Sequence, residues 1–432
     1  MSKKILVLAL AFVVGITVAA FAEVQNVKIG GDITTVWVDR QNLDFQKASN
    51  SISDFATITR VKIEANLTDN VDATVRLLNE RLWSSTNENT SGGSVNSDSD
   101  ITIDEAYVTL KDFLKDTTNV PLTLKVGRQN VRIGSGLLIG DPDTNQNVST
   151  TSGLNVAGLR DLSARKSFDA IVGVLDYDPL TVTAGYIKGS IGTDVNAMKD
   201  DVNAYVINAA YDTGVKDTIA EATYLLYRQR ETKANVANYG IRLTSTPIEN
   251  LSLEGEFVFQ DSETAKADKK RQQGSDSAIS LCASYLFEDV VWKPKLGMDY
   301  GRLSGQWNPL FEDLTPAELA NLIFPNTNVS VIGGSLLAKP KDDVTLKLRY
   351  ANFQVVEKYY DTETWASPGT GATYTMTDKK DLGDEIDLGV VYDYTEDVQL
   401  GLTYAMFMPG DAFSSVNEET ATSVIGSMRV AF

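Results

Sequence analysis

The chain has 432 residues, 43% of them hydrophobic and 22% charged, with one cysteine, no histidine and a formal net charge of −19. So acidic a chain is a poor nucleic-acid binder. Without histidine there is no Ser-His-Asp triad and no His-ligated zinc site, and one cysteine excludes an internal disulfide and a thiolate zinc cluster.

Lys3 and Lys4 precede an apolar run over 5–20, and Ala20-Phe21-Ala22 supplies a small-x-small cleavage site. This is the pattern of a secretory signal peptide over 1–22, leaving a mature domain over 23–432. The run is short for a membrane span of roughly 20 apolar residues. No cysteine stands directly after it to carry a lipid, and no later stretch is apolar for long enough to be a transmembrane helix.

Beyond it the chain reads as alternating segments of about ten residues divided by turns, the mark of a membrane β-barrel. Residues 27–40 form the first. In the second, Phe55, Val61, Ile63 and Leu67 share one parity while Arg60, Lys62, Glu64 and Asn66 take the other. After Asp69-Asn70, Val71, Ala73, Val75 and Leu77 oppose Asp72, Arg76 and Glu80. Segments 101–110 and 122–126 follow, with Glu105 and Lys125 on their polar sides. The pattern resumes at 170–177, 180–187, 203–211, 218–228, 238–246 and 251–260. It continues through 277–287, 291–303, 329–338, 344–354, 385–394 and 398–407, and ends at 421–432. Cys282 takes a polar position, where a bystander thiol is expected.

The count is about eighteen antiparallel strands, an even number that returns the C-terminus to the side of the N-terminus. Short links (Asp69-Asn70, Asp178-Pro179, 247–250, 395–397) alternate with long polar ones (84–100, 132–166, 306–328, 358–384). That is the rhythm of short periplasmic turns and long extracellular loops. In the last strand Val424, Gly426, Met428, Val430 and the terminal Phe432 share a parity against Ser427 and Arg429. A terminal phenylalanine on such a strand resembles the signal read by the outer-membrane barrel assembly machinery. A secreted sandwich or propeller is the rival fold; the signal peptide, Phe432 and the loop rhythm favour the barrel. β-Bulges, which would flip parity locally, are suspected at Gly127 and Gly173.

Motifs for other chemistry fall short. In the 134–140 stretch the last glycine of a dinucleotide loop comes one residue late and no βαβ unit surrounds it. Asp141 and Asp143 open a calcium-like loop, but Gln146 replaces its glycine and Ser152 its bidentate glutamate. Neither a cofactor nor a metal is implied, and an enzyme is not expected. Thr315-Pro316-Ala317-Glu318 reads as the capped start of a short helix, with Thr315 as N-cap. That helix folds inward to narrow a pore, packs on a neighbouring subunit, or packs on its own barrel rim.

Two stretches carry a family resemblance: Ile103-Asp104-Glu105-Ala106-Tyr107, and Gly127-Arg128-Gln129 followed by Gly134 and Leu138-Ile139-Gly140. Together they resemble the alginate-export-like family of outer-membrane porins, which implies an eighteen-stranded barrel. The family's namesake passes a polyanion through a basic lumen; here acids interleave with bases on the polar face.

A water-filled porin for passive diffusion of small polar or charged solutes is the reading these observations support. The expected pore-lining residues are Arg60, Lys62, Arg76, Glu105, Lys125, Arg128, Arg242, Glu254, Glu256, Asp299, Lys347 and Arg349. Basic residues on early and late strands should face Glu254, Glu256 and Asp299 across the ring, setting a transverse field. The loop 132–166, with Arg132, Asp141, Asp143, Arg160 and Arg165, is the expected constriction. A dedicated polysaccharide or sugar-acid channel and a structural or adhesive barrel with a closed lumen are the alternatives. Expected partners are outer-membrane lipid, the assembly machinery and small solutes or ions, saccharides among them; oligomerisation stays open.

Overall fold

The computed structural model describes residues 26–47, 49–83, 101–144, 154–189, 202–229, 234–262 and 276–432. The expected signal peptide and the loop 84–100 lie outside the described residues. The first strands are β1 (Asn26–Gln41), β2 (Ile52–Thr68), β3 (Val71–Leu82), β4 (Thr102–Leu110), β5 (Leu122–Asn130) and β6 (Ser167–Tyr177). Then come β7 (Leu180–Lys188), β8 (Val202–Asp212), β9 (Ile219–Gln229), β10 (Ala234–Ser245), β11 (Leu251–Ser262) and β12 (Asp276–Leu286). The rest are β13 (Lys295–Leu303), β14 (Val329–Lys341), β15 (Val344–Val355), β18 (Asp381–Asp393), β19 (Val398–Pro409) and β20 (Ala421–Ala431). Two short strands, β16 (Thr364–Ala366) and β17 (Thr373–Thr375), form a separate hairpin inside one long loop.

The other eighteen strands make one sheet in which each pairs antiparallel with its chain neighbours. β1 also pairs with β20, Asp32 opposite Ala431 through Gln41 opposite Thr422, so the sheet closes on itself. At the seam the Gly31 amide donates to the Phe432 carbonyl at 2.9 Å, and the Phe432 amide donates back at 3.0 Å. Closure satisfies every edge, which a sheet spanning lipid requires. The outer face is apolar: Ile29, Ile241, Met298 and Ile332 are among its exposed side chains. Among the described residues no helix is long and apolar enough to cross a membrane.

The elements depart from the sequence expectations in four places. β13 begins at Lys295, because Trp292 and Lys293 take left-handed backbone (φ 70° and 42°) and leave Val291 in the turn. The β16–β17 hairpin has no three-residue pattern strong enough to read. The loop helix spans Glu318–Ile323 with Ala317, not Thr315, at its N-cap and no side-chain cap of its own. Gly127 and Gly173 carry no register shift. Gly127 has φ 128° and lies so close to β4 that a Cβ would stand 2.2 Å from the Ala106 carbonyl oxygen. The bulge falls instead on Asp104: Arg76 pairs with Glu105 while Leu77 already pairs with Ile103.

Candidate functional site: the lumen and its infolded loops

Alternation along each strand and the register between strands decide which side chains enter the barrel. Asp32 of β1 pairs with Arg60, Arg60 with Leu78, and Lys62 with Arg76, so these residues share one face. The face is the inner one, since Glu80 and Glu385 on the same parity bind segments of the long loops. Arg60, Lys62, Arg76, Glu105, Lys125, Arg242, Glu254, Glu256, Asp299, Lys347 and Arg349 all point inward. Arg128 does not. It stands opposite Ala106 and Asp169, one residue out of step with the inward Lys125 and Gln129, and pairs with Asp169 at 3.3 Å on the outer face. Its assignment to the pore is therefore corrected.

The inward charges are neutralised by neighbours on the same strand or on strands one or two places away. Arg60 grips Asp32 with two bonds of 2.9 Å, and Lys62 meets Glu64 at 2.7 Å. The bulge at Asp104 turns two successive acids towards Arg76, at 2.6 Å for Asp104 and 3.1 Å for Glu105. Arg242 bridges Glu254 at 2.9 Å and Glu221. Arg349 holds Asp299 with bonds of 2.6 and 2.8 Å although β14 lies between their strands. The intervening residue is Gly333, and a Cβ there would meet the Arg349 guanidinium at 2.7 Å and the Asp299 carboxylate at 2.8 Å. The expected opposition of a basic wall to Glu254, Glu256 and Asp299 is thus corrected. Side chains one or two strands apart reach one another well before they see across a lumen, so the charge alternates around the wall. Lys125, resting 5.6 Å from the Tyr107 ring, and Lys347 meet no carboxylate among the described residues.

Towards the extracellular ends the same inner parity turns apolar. Val36 and Val38, Leu78 and Leu82, Phe353 and Val355, and Ala405 and Phe407 are all buried. Infolded loops cover them, three of them long. The first, 132–166, lays Leu137, Leu138 and Ile139 into the core and packs Leu154 and Leu159 on β1–β3. The second, 304–328, carries the helix, whose Leu319, Leu322 and Ile323 are fully buried. The third, 356–380, inserts Tyr374 among Phe45, Trp365 and Phe413. The first two loops join: the Gly140 and Asp141 amides donate to the Phe311 carbonyl at 2.8 and 3.0 Å, and the Asp313 amide to that of Gly136 at 2.9 Å.

Wall charges hold these loops. The Leu319 and Ala320 amides, at the open start of the helix, donate to the Glu385 carboxylate at 2.5 and 2.8 Å. The barrel supplies the cap that the helix lacks. Arg349 donates to the Pro316 carbonyl at 2.6 Å, and Glu256 accepts from the Ser135 hydroxyl at 2.5 Å. Arg40, wholly buried, binds Asp161 bidentately at 2.8 and 2.7 Å, the Gly158 carbonyl at 2.6 Å, Ser423 at 3.2 Å and Glu318 at 3.2 Å. It ties two loops to the seam of the barrel. Arg40 and Glu385 were missed by sequence reading; an inward arginine at the apolar end of β1 was the available signal.

Of the remaining loop residues, Arg132 pairs with Asp313 and the Ser135 carbonyl, and Arg160 donates to the Pro368 carbonyl at 2.5 Å. The Arg165 amide donates to the Ser163 hydroxyl at 3.3 Å. Asp141 is buried, 3.9 Å from Lys166, and accepts from the Asp143 amide at 2.9 Å. Burial pushes the Asp141 carboxyl up to about 7, with nearby Asp143 and Asp313 adding to the rise and Lys166 opposing it. Burial likewise pushes Glu312 and Glu318 up to about 7, against the pull of Asn326 on the first and Arg40 on the second. Between the second loop and the wall lies a cavity of about 340 Å³ bounded by Leu314, Pro316, Phe324, Asp299, Arg349 and Cys282. Nearer the periplasmic end a hollow of about 480 Å³ is lined by Glu254, Cys282, Ser284, Lys295 and Asp299.

A closed eighteen-stranded antiparallel barrel with an apolar exterior, charged interior and infolded loops is the architecture of outer-membrane porins. The chain belongs to the alginate export family, whose model matches residues 27–427. Among solved structures it is similar to Pseudomonas aeruginosa OpdQ, at 12% identity and a TM-score of 0.56 over 95% of this chain and 100% of that one. P. aeruginosa OpdK, crystallised with vanillate, gives 12% identity and a TM-score of 0.58 over 95% and 100%. Acinetobacter baumannii OccAB1 gives 12% and 0.56 over 96% and 99%. No curated protein sequence matches the chain.

Proposed function

We propose that the protein is an outer-membrane porin whose lumen passes small polar or charged solutes by passive diffusion. The observation that carries this reading is the inner wall of the periplasmic half. Charges as dense as Arg60, Lys62, Arg76, Arg242, Glu254 and Asp299 stay partly exposed inside a barrel, where water completes the solvation that their ion pairs begin. Selectivity falls to inward cations such as Lys125 and Lys347 that meet no carboxylate among the described residues, and the loops 132–166 and 304–328 form the constriction. The chain acts as a channel and not as an enzyme. It reaches the outer membrane through a cleaved signal peptide and is recognised for assembly by the strand ending in Phe432, whose ring is exposed.

Family membership favours a second reading, a dedicated channel for a polysaccharide or sugar acid. Single-channel conductance of the refolded protein in a planar bilayer, with reversal potential in a salt gradient, tests the porin. Discrete steps are expected; a verified folded barrel that never conducts refutes it and leaves a closed-lumen barrel. Block of the current that saturates with an added uronic-acid oligomer selects the dedicated channel.

A further inference from the structure

The cavity of about 340 Å³ between the second loop and the wall is apolar along its length and polar at both ends. Its sides are Leu137, Leu303, Leu314, Phe324, Val331 and Phe353, with the Phe324 and Phe353 ring centres 5.6 Å apart. Register sets its length. Leu303 pairs with Val329 and Asp299 with Gly333, so four residues of β13 separate the two levels, about 13 Å of extended strand. The volume falls within the range of small-molecule sites, roughly 300–1,000 Å³.

At the periplasmic end stands Arg349. Its Nε donates to the Pro316 carbonyl at 2.6 Å, and each terminal nitrogen gives one N–H to Asp299, at 2.6 and 2.8 Å. A guanidinium has five N–H groups, so one remains on each terminal nitrogen. The charge of Arg349 is already matched, since Asp299 holds it bidentately and Asp387 stands opposite it in the register of β15 and β18. At the other end Asn326 is 3% exposed, and its amide nitrogen donates to Glu312 at 2.9 Å. That bond turns the side-chain oxygen away from the carboxylate, and the oxygen accepts no hydrogen bond among the described residues. A buried amide oxygen without a donor is unusual in a folded protein. The periplasmic hollow of about 480 Å³ shares Cys282 and Asp299 with the cavity, so a solute enters from the wet half past the exposed Cys282 thiol.

We propose that this cavity binds a small neutral aromatic solute with a hydrogen-bond acceptor at one end and a hydroxyl donor at the other, such as a phenolic amide. The ring lies against Phe324 and Phe353, where aromatic faces and edges pack favourably. The acceptor takes the two remaining N–H groups of Arg349, and the hydroxyl donates to the Asn326 oxygen. Neutrality follows from the surroundings. A carboxylate at Arg349 would stand beside Asp299 and Asp387 with no cation of its own, and an unpaired ion in an apolar cavity costs far more than a dipole. The proposal deepens the channel reading by naming a solute class, and it rests on the lumen being open to water on its periplasmic side.

Cys282 is the one cysteine of the chain, so its alkylation by a small uncharged maleimide reports on the cavity mouth of the full-length protein in detergent. 4-Hydroxybenzamide should slow the reaction saturably. 4-Hydroxybenzoate, the same ring with a carboxylate, should protect roughly tenfold more weakly, the effect of one mismatched polar contact. Calorimetric titration with the same two probes repeats the comparison without the thiol. Asp299→Asn keeps an oxygen for Arg349 but removes the charge, and should reverse the order of the probes. Val331→Phe fills the cavity and should abolish protection by either. Equal binding of the two probes by the wild type, or binding of neither, overturns the proposal without any variant. So does a folded Asp299→Asn protein that keeps the preference for the amide, or a folded Val331→Phe protein that is still protected. A barrel that binds the amide but never conducts fails as a porin and keeps this site; one that conducts but binds neither probe keeps the porin and loses the site.

Discussion

The periplasmic and extracellular halves of the lumen are built from the same strands at the same parity, yet they solve opposite problems. On β15 the inward residues run Lys347, Arg349, Ala351, Phe353 and Val355 from one end to the other. On β2 they run Glu64, Lys62, Arg60, Ile58 and Ala56 in the same direction. The charged half is open to water and balances itself through cross-strand pairs. The apolar half has no water to face and is roofed by loops whose own apolar residues match it. Where the halves meet, Arg40, Glu385 and Arg349 leave the wall pattern to grip the loops. A pore of this design is as wide as those grips allow.

The division between the two halves depends most heavily on Arg40. Arg40→Ala strands the buried Asp161 carboxylate, and loss of one partner of a buried ion pair costs about 3–5 kcal/mol. The variant should melt at a clearly lower temperature and conduct more, with a noisier current, as loops 132–166 and 304–328 come loose. A melting temperature within error of wild type would show that the guanidinium does not carry the loops. Leu322→Ala removes a fully buried side chain from the loop helix. It should cost about 2–5 kcal/mol of local stability, visible as faster amide exchange over Glu318–Ile323 while the strands stay protected.

Acidification should act in the other direction. Asp141, Glu312 and Glu318 are lifted by burial to about 7, so the packed loops bind more protons than opened ones between about pH 4 and 7. Packing is strongest below that window and weakens as pH rises through 7. Conductance should therefore fall on going from pH 8 to 5.5; a rise would contradict the inward-loop account. The smallest effect belongs to the wet half. Arg60→Glu plus Lys62→Glu should shift the reversal potential towards cations, by less than free charges would, because each residue already faces an acid. Lys125→Gln plus Lys347→Gln removes fewer charges yet should shift it comparably, which sharpens the distinction between paired and unpaired cations.

Much of the barrel was legible. Outward apolar parity survives along nearly every strand because lipid tolerates no exception in the hydrocarbon, and each turn is marked by glycine, proline, asparagine or aspartate. The inner parity was less legible. Val38, Phe353 and Phe407 look the same whether they face lipid, a core or a plug, so the apolar half of the lumen was not separable from ordinary strand alternation. Arg128 shows the cost of reading charge as inward: on the outer rim a charge is equally well solvated. The bulge at Asp104 left no mark of its own, since two adjacent acids carry no backbone requirement as glycine does.

The architecture follows from residue pattern alone: eighteen alternating segments, short and long links in turn, and a last strand able to close on the first. The physical reason is that period and turn chemistry are local properties, written wherever they act. Only the folded chain shows which charges neutralise which, that Gly333 makes room for Arg349 to reach Asp299, and that infolded loops fill the extracellular half. Those outcomes depend on residues tens to hundreds of positions apart meeting at a few ångströms, and only the register of the closed sheet brings them there.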